Sequence, residues 1–334
     1  MVQVSPARAG ALLAHARATH LAVIGDVMLD QYIWGRVNRI SPEAPVPILE
    51  FESESWMPGG AANVARNLTA LGSTAELFGV VGPDDAAPRL RAQLKSEKVG
   101  CRGLMNQLDR PTTTKTRLAA GHQQIVRLDR EISTPVPAKV TRDLLRRFDS
   151  ISDQLDAVIV ADYGKGLVTQ ELIDGLRERC RRRGTWLSVD PKPVHLLNLK
   201  RVSLLTPNRK EAFALAGMPD SGRRGDPLQD AELLAVGRKL LTELCPAVLL
   251  VTLGEFGLLL CQRDQPPIHI PTLAREVFDV SGAGDTVIAT YTLAICSGAS
   301  VVEAAVLANH AAGLVVGKRG TATVSADELQ ASFR

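Results

Sequence analysis

The segment Asp279-Val280-Ser281-Gly282-Ala283-Gly284-Asp285 carries the densest chemistry in the chain, and a helical pattern follows it to about Ile295. Gly282, Ala283 and Gly284 at a helix start would let backbone N–H groups approach an anion closely, with the helix dipole adding attraction. Asp285, one residue beyond, can reach a hydroxyl that is about to attack phosphorus. A carboxylate there suits general-base work, and the N–H cradle suits charge developing on a transferred phosphoryl group. The same residues could instead make an ordinary helix cap with glycine for tight packing.

Other stretches pair polar groups with glycine at the ends of apolar runs. Gly59 and Gly60 open a helix whose first turn holds Asn63, an arrangement that brings a ligand to the backbone and an amide to its hydroxyls. It could equally be a hinge. Asp26 and Asp30 follow the first strand, at the edge where open α/β sheets bind ligands. Asn208 and Glu211, three apart, could face a metal–phosphate group if Arg209 starts a helix, or Asn208 could simply cap that helix. Thr252-Leu253-Gly254-Glu255-Phe256-Gly257 reads as a nucleotide loop or a plain hairpin turn. Lys192, between Pro191 and Pro193 at a strand end, could place positive charge near a transferred phosphate.

Positioning these groups requires a frame, and the apolar pattern supplies one. Leu21–Ile24, Ala75–Val81, Ala157–Val160, Trp186–Val189, Val202–Leu205 and Val248–Thr252 are short continuous apolar runs, as in a parallel sheet covered on both faces. Helical patterns alternate with them at Ala61–Leu71, Thr169–Arg183 and Ala231–Leu244. A last helix starts at the capping box Ser300/Glu303 and runs to about Val316. The alternation predicts an α/β fold with a doubly wound, mainly parallel sheet flanked by helices. Two segments, about 31–57 and 112–131, break the rhythm and read as one small β-sheet lid. Its apolar and aromatic residues, including Tyr32, Ile33, Trp34, Ile48 and Phe51, predict pairing with a second copy into a homodimer. On the second segment, Lys115 and Arg117 would share a strand face and could converge on one phosphate.

Composition narrows the function classes. The 334 residues are 45% hydrophobic and 22% charged, enough for a sizeable core. With 39 basic against 36 acidic residues the net charge is +3, and aromatics are 4%, which argues against a nucleic-acid partner. No segment reaches 18 uninterrupted apolar residues, and the five scattered cysteines lack any CxxC pair. The chain therefore reads as cytoplasmic, with no membrane partner. The six histidines show no metal spacing, and Arg181-Arg182-Arg183 suits a solvated helix end. Neither GxxxxGK[ST] nor a GxGxxG run after the first strand is present, which weakens Walker-type ATPase and nicotinamide oxidoreductase readings.

In order, the Gly-Gly helix start, the Asn-x-x-Glu segment, the Thr-Leu-Gly-x-x-Gly turn and the Asp-x-x-Gly-Ala-Gly-Asp helix start resemble those of ribokinase-like (PfkB) sugar kinases. The resemblance covers about residues 20 to 325, and implies a single ribokinase-like domain over 1–334 with the lid segments inserted. Gly25 to Ile48, Ala161-Asp162-Tyr163-Gly164-Lys165-Gly166 and Val189-Asp190-Pro191-Lys192-Pro193 are further similar to members acting on a heptose 7-phosphate. That implies transfer of the ATP γ-phosphate to O1 of D-glycero-β-D-manno-heptose 7-phosphate, in ADP-heptose and lipopolysaccharide core biosynthesis. Position by position, it implies Asp285 as the base and Gly282, Ala283 and Gly284 as the anion hole. Asp30, Gly59, Gly60 and Asn63 would hold the sugar. Asn208 and Glu211 would organise Mg²⁺, Glu211 through water, and the phosphates. Thr252, Gly254, Gly257 and Asn309 would line the ATP site, and Asp279 stands at a monovalent-cation position, where K⁺ would bind. Ser281 replaces the more frequent threonine and keeps the hydroxyl. The chain ends at Arg334 and neither His195 nor His310 lies in a His-x-Gly-His motif, so the resemblance is to the form carrying the kinase alone. A PfkB-type kinase for another sugar, and a non-catalytic sugar- or nucleotide-binding regulator on the same fold, stand as alternatives.

Overall fold

The computed structural model describes residues 4–121, 123–195, 197–222, 225–273 and 277–333. Helix α1 (Pro6–Ala16) leads into strand β1 (His20–Gly25), followed by the long strands β2 (Val27–Ile40) and β3 (Pro47–Gly60). Next come α2 (Ala61–Ala70), β4 (Thr74–Val81), α3 (Ala86–Ser96) and β5 (Gly100–Asn106). The pair β6 (Thr113–Ala120) and β7 (Gln123–Arg130) precedes α4 (Ala138–Asp149), β8 (Ala157–Ala161), α5 (Gln170–Arg183), β9 (Trp186–Asp190) and β10 (Leu204–Leu205). The chain continues through α6 (Arg209–Ala216), α7 (Ala231–Glu243), β11 (Val248–Thr252), β12 (Leu258–Cys261) and β13 (Ile268–Ile270). It closes with α8 (Ala283–Cys296), α9 (Val301–Val315) and α10 (Ala326–Ala331).

Among the described residues the strands form two sheets. The nine-stranded sheet runs β13-β12-β11-β10-β9-β8-β1-β4-β5, parallel from β5 to β11 and antiparallel over β12 and β13. Alternate residues of each central strand feed opposite faces, as the two-residue period demands. Val23, Leu77 and Ile159 join a core with Leu68 of α2 and Tyr291 of α8. Ala22, Ile24, Val158 and Val160 join a second core with Phe148 of α4 and Leu172 of α5. Burial on both faces explains why β8, Ala-Val-Ile-Val-Ala, is apolar without interruption. This is the expected α/β architecture, a mostly parallel sheet flanked by helices on both faces.

The segments 31–57 and 112–131 lie in the second sheet, four-stranded in the order β3-β2-β6-β7. Strands β2 and β6 run parallel, and β3 and β7 flank them antiparallel. Strand β2 starts two residues beyond the end of β1, so the small sheet stands directly over the carboxyl edge of the large one.

Most expected elements form within a residue or two. Thr169 caps α5 and Gly184 ends it in the left-handed region, while Ser300 and Glu303 make the capping box of α9. Helix α9 is not the last, since α10 follows with its own box at Ser325 and Glu328. Of the run Val202–Leu205 only Leu204 and Leu205 pair as a strand. Strands β5, β12 and β13 and helices α1, α3 and α4 were not among the expected elements. β5 reads Gly-Cys-Arg-Gly-Leu-Met-Asn, a sheet-edge strand with little apolar signal.

Ile159, wholly buried in the middle of the sheet, reports on the core. Ile159→Ala should lower unfolding free energy by about 2–5 kcal/mol in denaturant titration. A loss under about 1 kcal/mol would mean that this side chain is not closely packed.

Candidate active site

The carboxyl ends of the parallel strands gather polar residues into one crevice. Asp26 follows β1, Asp162 and Tyr163 follow β8, Asp190 ends β9, and Asn208 lies just beyond β10. Facing them, Asp285 sits in the first turn of α8 and is 6% exposed. Asn63 of α2 donates its Nδ2–H to Asp285 Oδ2 at 2.7 Å, and the Tyr163 hydroxyl donates to Oδ1. Burial pushes the Asp285 carboxyl up to about 6, while these two hydrogen bonds favour its ionised form and the nearby charge of Asp30 opposes it. A carboxylate ionised at neutral pH but more basic than its free form is suited to taking a proton.

Gly282 precedes α8 with φ of +81°, and a Cβ there would meet Asn63 Nδ2 at 2.6 Å. No side chain caps this helix; the Ala283 N–H turns to the Val280 carbonyl at 3.3 Å, and the Gly284 N–H is left for a ligand. Gly284 faces open space. At the other wall, Gly59 gives the Asp30 carboxylate room to lie against the backbone, and Gly60 adopts φ of +58° before α2. Asp30, 3% exposed, accepts from the Arg117 guanidinium on Oδ1. Asn63 Oδ1 is buried and without a partner, an acceptor for an incoming hydroxyl.

Two cavities lie against the Thr252–Gly257 segment, and one of them reaches the start of α8. One of about 470 Å³ is lined by Thr252, Gly254, Gly257, Ala283, Gly284 and Asn309, with Val277, Val280 and Val316 as apolar walls. Its neighbour, about 370 Å³, shares Thr252 and Gly254 and adds Asn208, Arg209 and Lys210. Volumes of this size suit a small-molecule ligand. Asn309 donates Nδ2–H to the Pro271 carbonyl at 2.7 Å. The Thr252–Gly257 segment connects antiparallel β11 and β12 as a hairpin, and it also lines these cavities.

Asn208 does cap α6. Its side chain accepts from Glu211 N–H, and Glu211 Oε2 accepts from Asn208 N–H, each at 3.0 Å. Glu211 Oε1 remains for Lys192, whose ammonium lies 2.8 Å away. Asp279 bridges two loops, accepting from the N–H of Ser281 at 2.9 Å and of Gly320 at 3.0 Å.

Lys115 and Arg117 share a face of β6 but do not converge. Lys115 sits opposite Asp129 in register and pairs with it at 3.3 Å and with Glu131 at 3.7 Å, whereas Arg117 turns to Asp30. Register between strands, which one strand cannot reveal, decides this. Sequence reasoning also assigned no role to Tyr163, Asp162 or Asp190. Burial raises Asp162 to about 7 and raises Asp190 well above the carboxylate range, the charge of Glu211 adding to the latter. Their signal was position, at the ends of β8 and β9. Among the described residues no group of three or more His, Cys, Asp or Glu is arranged to hold a metal, and all five cysteines are free.

The profile of the pfkB family carbohydrate kinases matches residues 18–328. The bifunctional protein HldE of Caulobacter vibrioides is 44% identical over 309 residues, 92% of this chain and 62% of that protein. HldE of Geobacter metallireducens is 42% identical over 322 residues, 96% of this chain and 64% of its own length. The chain thus spans less than two thirds of these relatives. In fold it matches the Arabidopsis thaliana ribokinase complexed with ribose and ATP, with a TM-score of 0.74 at 19% identity over 95% of this chain and 99% of that one. Escherichia coli phosphofructokinase-2 in complex with potassium gives 0.75 at 19% identity, covering 94% and 97%. With nearly its whole length inside the family profile, the chain belongs to the pfkB family of carbohydrate kinases.

Proposed function

We propose that this sugar kinase transfers the γ-phosphate of ATP to O1 of D-glycero-β-D-manno-heptose 7-phosphate, giving the 1,7-bisphosphate that leads toward ADP-heptose and the lipopolysaccharide core. The observation that carries the phosphoryl-transfer reading is the buried Asp285 carboxylate, held on both oxygens beside the uncapped start of α8. The heptose phosphate rests on the Gly25–Ile48 signature, which runs from the end of β1 through β2 and the turn after it to the first residues of β3.

In this reading Asp285 takes the proton of the acceptor hydroxyl, and the N–H groups of Gly282, Ala283 and Gly284 hold the charge of the moving phosphoryl group. Asp30, Gly59, Gly60 and the free Oδ1 of Asn63 hold the sugar. Thr252, Gly254, Gly257 and Asn309 flank the nucleotide, and Lys192 faces its phosphates. The hard carboxylate oxygens of Glu211, with no all-protein cage among the described residues, fit a Mg²⁺ that keeps several waters and arrives on the nucleotide. Such an ion would neutralise the phosphates and bring Glu211 to it through water. At Asp279 both oxygens already accept N–H groups, and K⁺ there would act on the cradle through Ser281. Among the described residues no helix is long and apolar enough to cross a membrane, and use of ATP as cosubstrate supports a cytoplasmic reaction.

The small sheet serves as lid and as dimer contact. Its outer surface exposes Phe51 by 66%, Val126 by 50% and Leu128 by 64%, apolar area that a second copy would cover. Light scattering at micromolar concentration should give twice the monomer mass, and Leu128→Asp should shift it toward monomer. A monomer throughout would remove the lid contact from the account.

Asp285→Asn should cut turnover by about 10²-fold or more with little change in substrate binding, since the amide keeps the shape but cannot take the proton. In the unaltered enzyme kcat/KM should fall as pH drops through about 6, where Asp285 becomes protonated. Both are read with heptose 7-phosphate and ATP in a coupled ADP assay. Full turnover in the variant would remove Asp285 as the base, and preference for another sugar phosphate in the same assay would remove the heptose.

A further inference from the structure

The loop from Asp162 to Leu167, between β8 and α5, is built with more care than a connection needs. The Asp26 carboxylate accepts three of its N–H groups, from Tyr163 at 2.9 Å, Lys165 at 3.0 Å and Leu167 at 3.1 Å. Gly164 and Gly166 take φ of +67° and +86°, turns that other residues adopt only with strain. The buried Arg110 guanidinium clamps the loop from outside through the carbonyls of Lys165 and Thr134. All of this fixes the backbone of one residue whose side chain points at the reacting group, Tyr163.

The Tyr163 hydroxyl donates to Asp285 Oδ1 while Asn63 donates to Oδ2. With one donor on each oxygen, the carboxylate cannot rotate without losing a bond, and both bonds favour its charged form. The other charged groups facing it are Asp30 from β2, itself paired with Arg117, and Asp190 at the end of β9. The charge of Asp30 opposes ionisation of Asp285, whereas burial, Glu211 and the charge of Asp285 itself push Asp190 well above its ordinary value. Tyr163 stays a donor, because burial and the Asp285 charge hold its phenol well above the usual range.

We propose that Tyr163 is a positioning residue for phosphoryl transfer: its hydroxyl fixes the orientation of the Asp285 carboxylate and keeps it anionic against its acidic neighbours, leaving a lone pair for the acceptor hydroxyl. This rests on Asp285 being the base.

Tyr163→Phe keeps the ring and deletes only the donor. The acid limb of kcat/KM for heptose 7-phosphate should move up by about one pH unit, the size of one charge-assisted hydrogen bond. Activity should recover toward the unaltered level at pH 9, with the KM for ATP unchanged. A fluorinated tyrosine at position 163, a stronger donor, should move the limb the opposite way, and it keeps the test open if the phenylalanine variant fails to fold. A limb unmoved by both replacements would overturn the proposal. Asp285→Asn separates the two ideas. If its residual activity loses the acid limb while the Tyr163 variants leave the limb in place, the base stands and the role of Tyr163 falls. If the limb survives in Asp285→Asn, both fall.

Discussion

A carboxylate removed from water costs free energy unless donors replace the solvent, and a base that sits at the transferred phosphoryl group must be removed from water to be useful. Asp285, the proposed base, meets that constraint with two donors from different parts of the chain, Asn63 on α2 and Tyr163 after β8. The residues flanking it serve the same end. Gly282 has no Cβ because Asn63 occupies that space, and Asp26 spends its own buried carboxylate on the backbone that carries Tyr163.

The sheet makes this juxtaposition possible. Parallel strands put their carboxyl ends on one edge, so β1, β8, β9 and β10 deliver Asp26, Tyr163, Asp190 and Asn208 to one crevice from distant points in the chain. Helix α8 closes the crevice from one side with its N-terminus. The small sheet covers it from the other, with Asp30 and Arg117 paired on its inner face. Within that pairing, the negative charge that Asp30 brings close to Asp285 is partly balanced by a guanidinium.

Much of this was legible in the sequence because it is local. The Gly-Ala-Gly-Asp helix start, the caps at Thr169 and Ser300 and the unbroken apolar run of β8 are short-range signals whose meaning survives without the fold. The small sheet was legible through its break in rhythm. What stayed hidden depends on register and tertiary distance. Lys115 looked free to bind phosphate until β7 set Asp129 opposite it. Tyr163 stood inside a quoted motif without a role, because its partner lies 122 residues away in the chain. Strand β5 was missed because glycine and arginine dilute its apolar pattern at the sheet edge.

The central claim is that a single buried carboxyl, ionised at neutral pH but more basic than a free aspartate, stands at the start of α8. Carbon-13 NMR titration of aspartate-labelled protein measures it directly, with Asp285→Asn identifying the resonance and Asp162→Asn removing a second aspartate that burial pushes up to about 7. The account predicts that the signal lost in Asp285→Asn titrates near 6 in the unaltered protein. A midpoint near 4, that of an ordinary exposed aspartate, would contradict it.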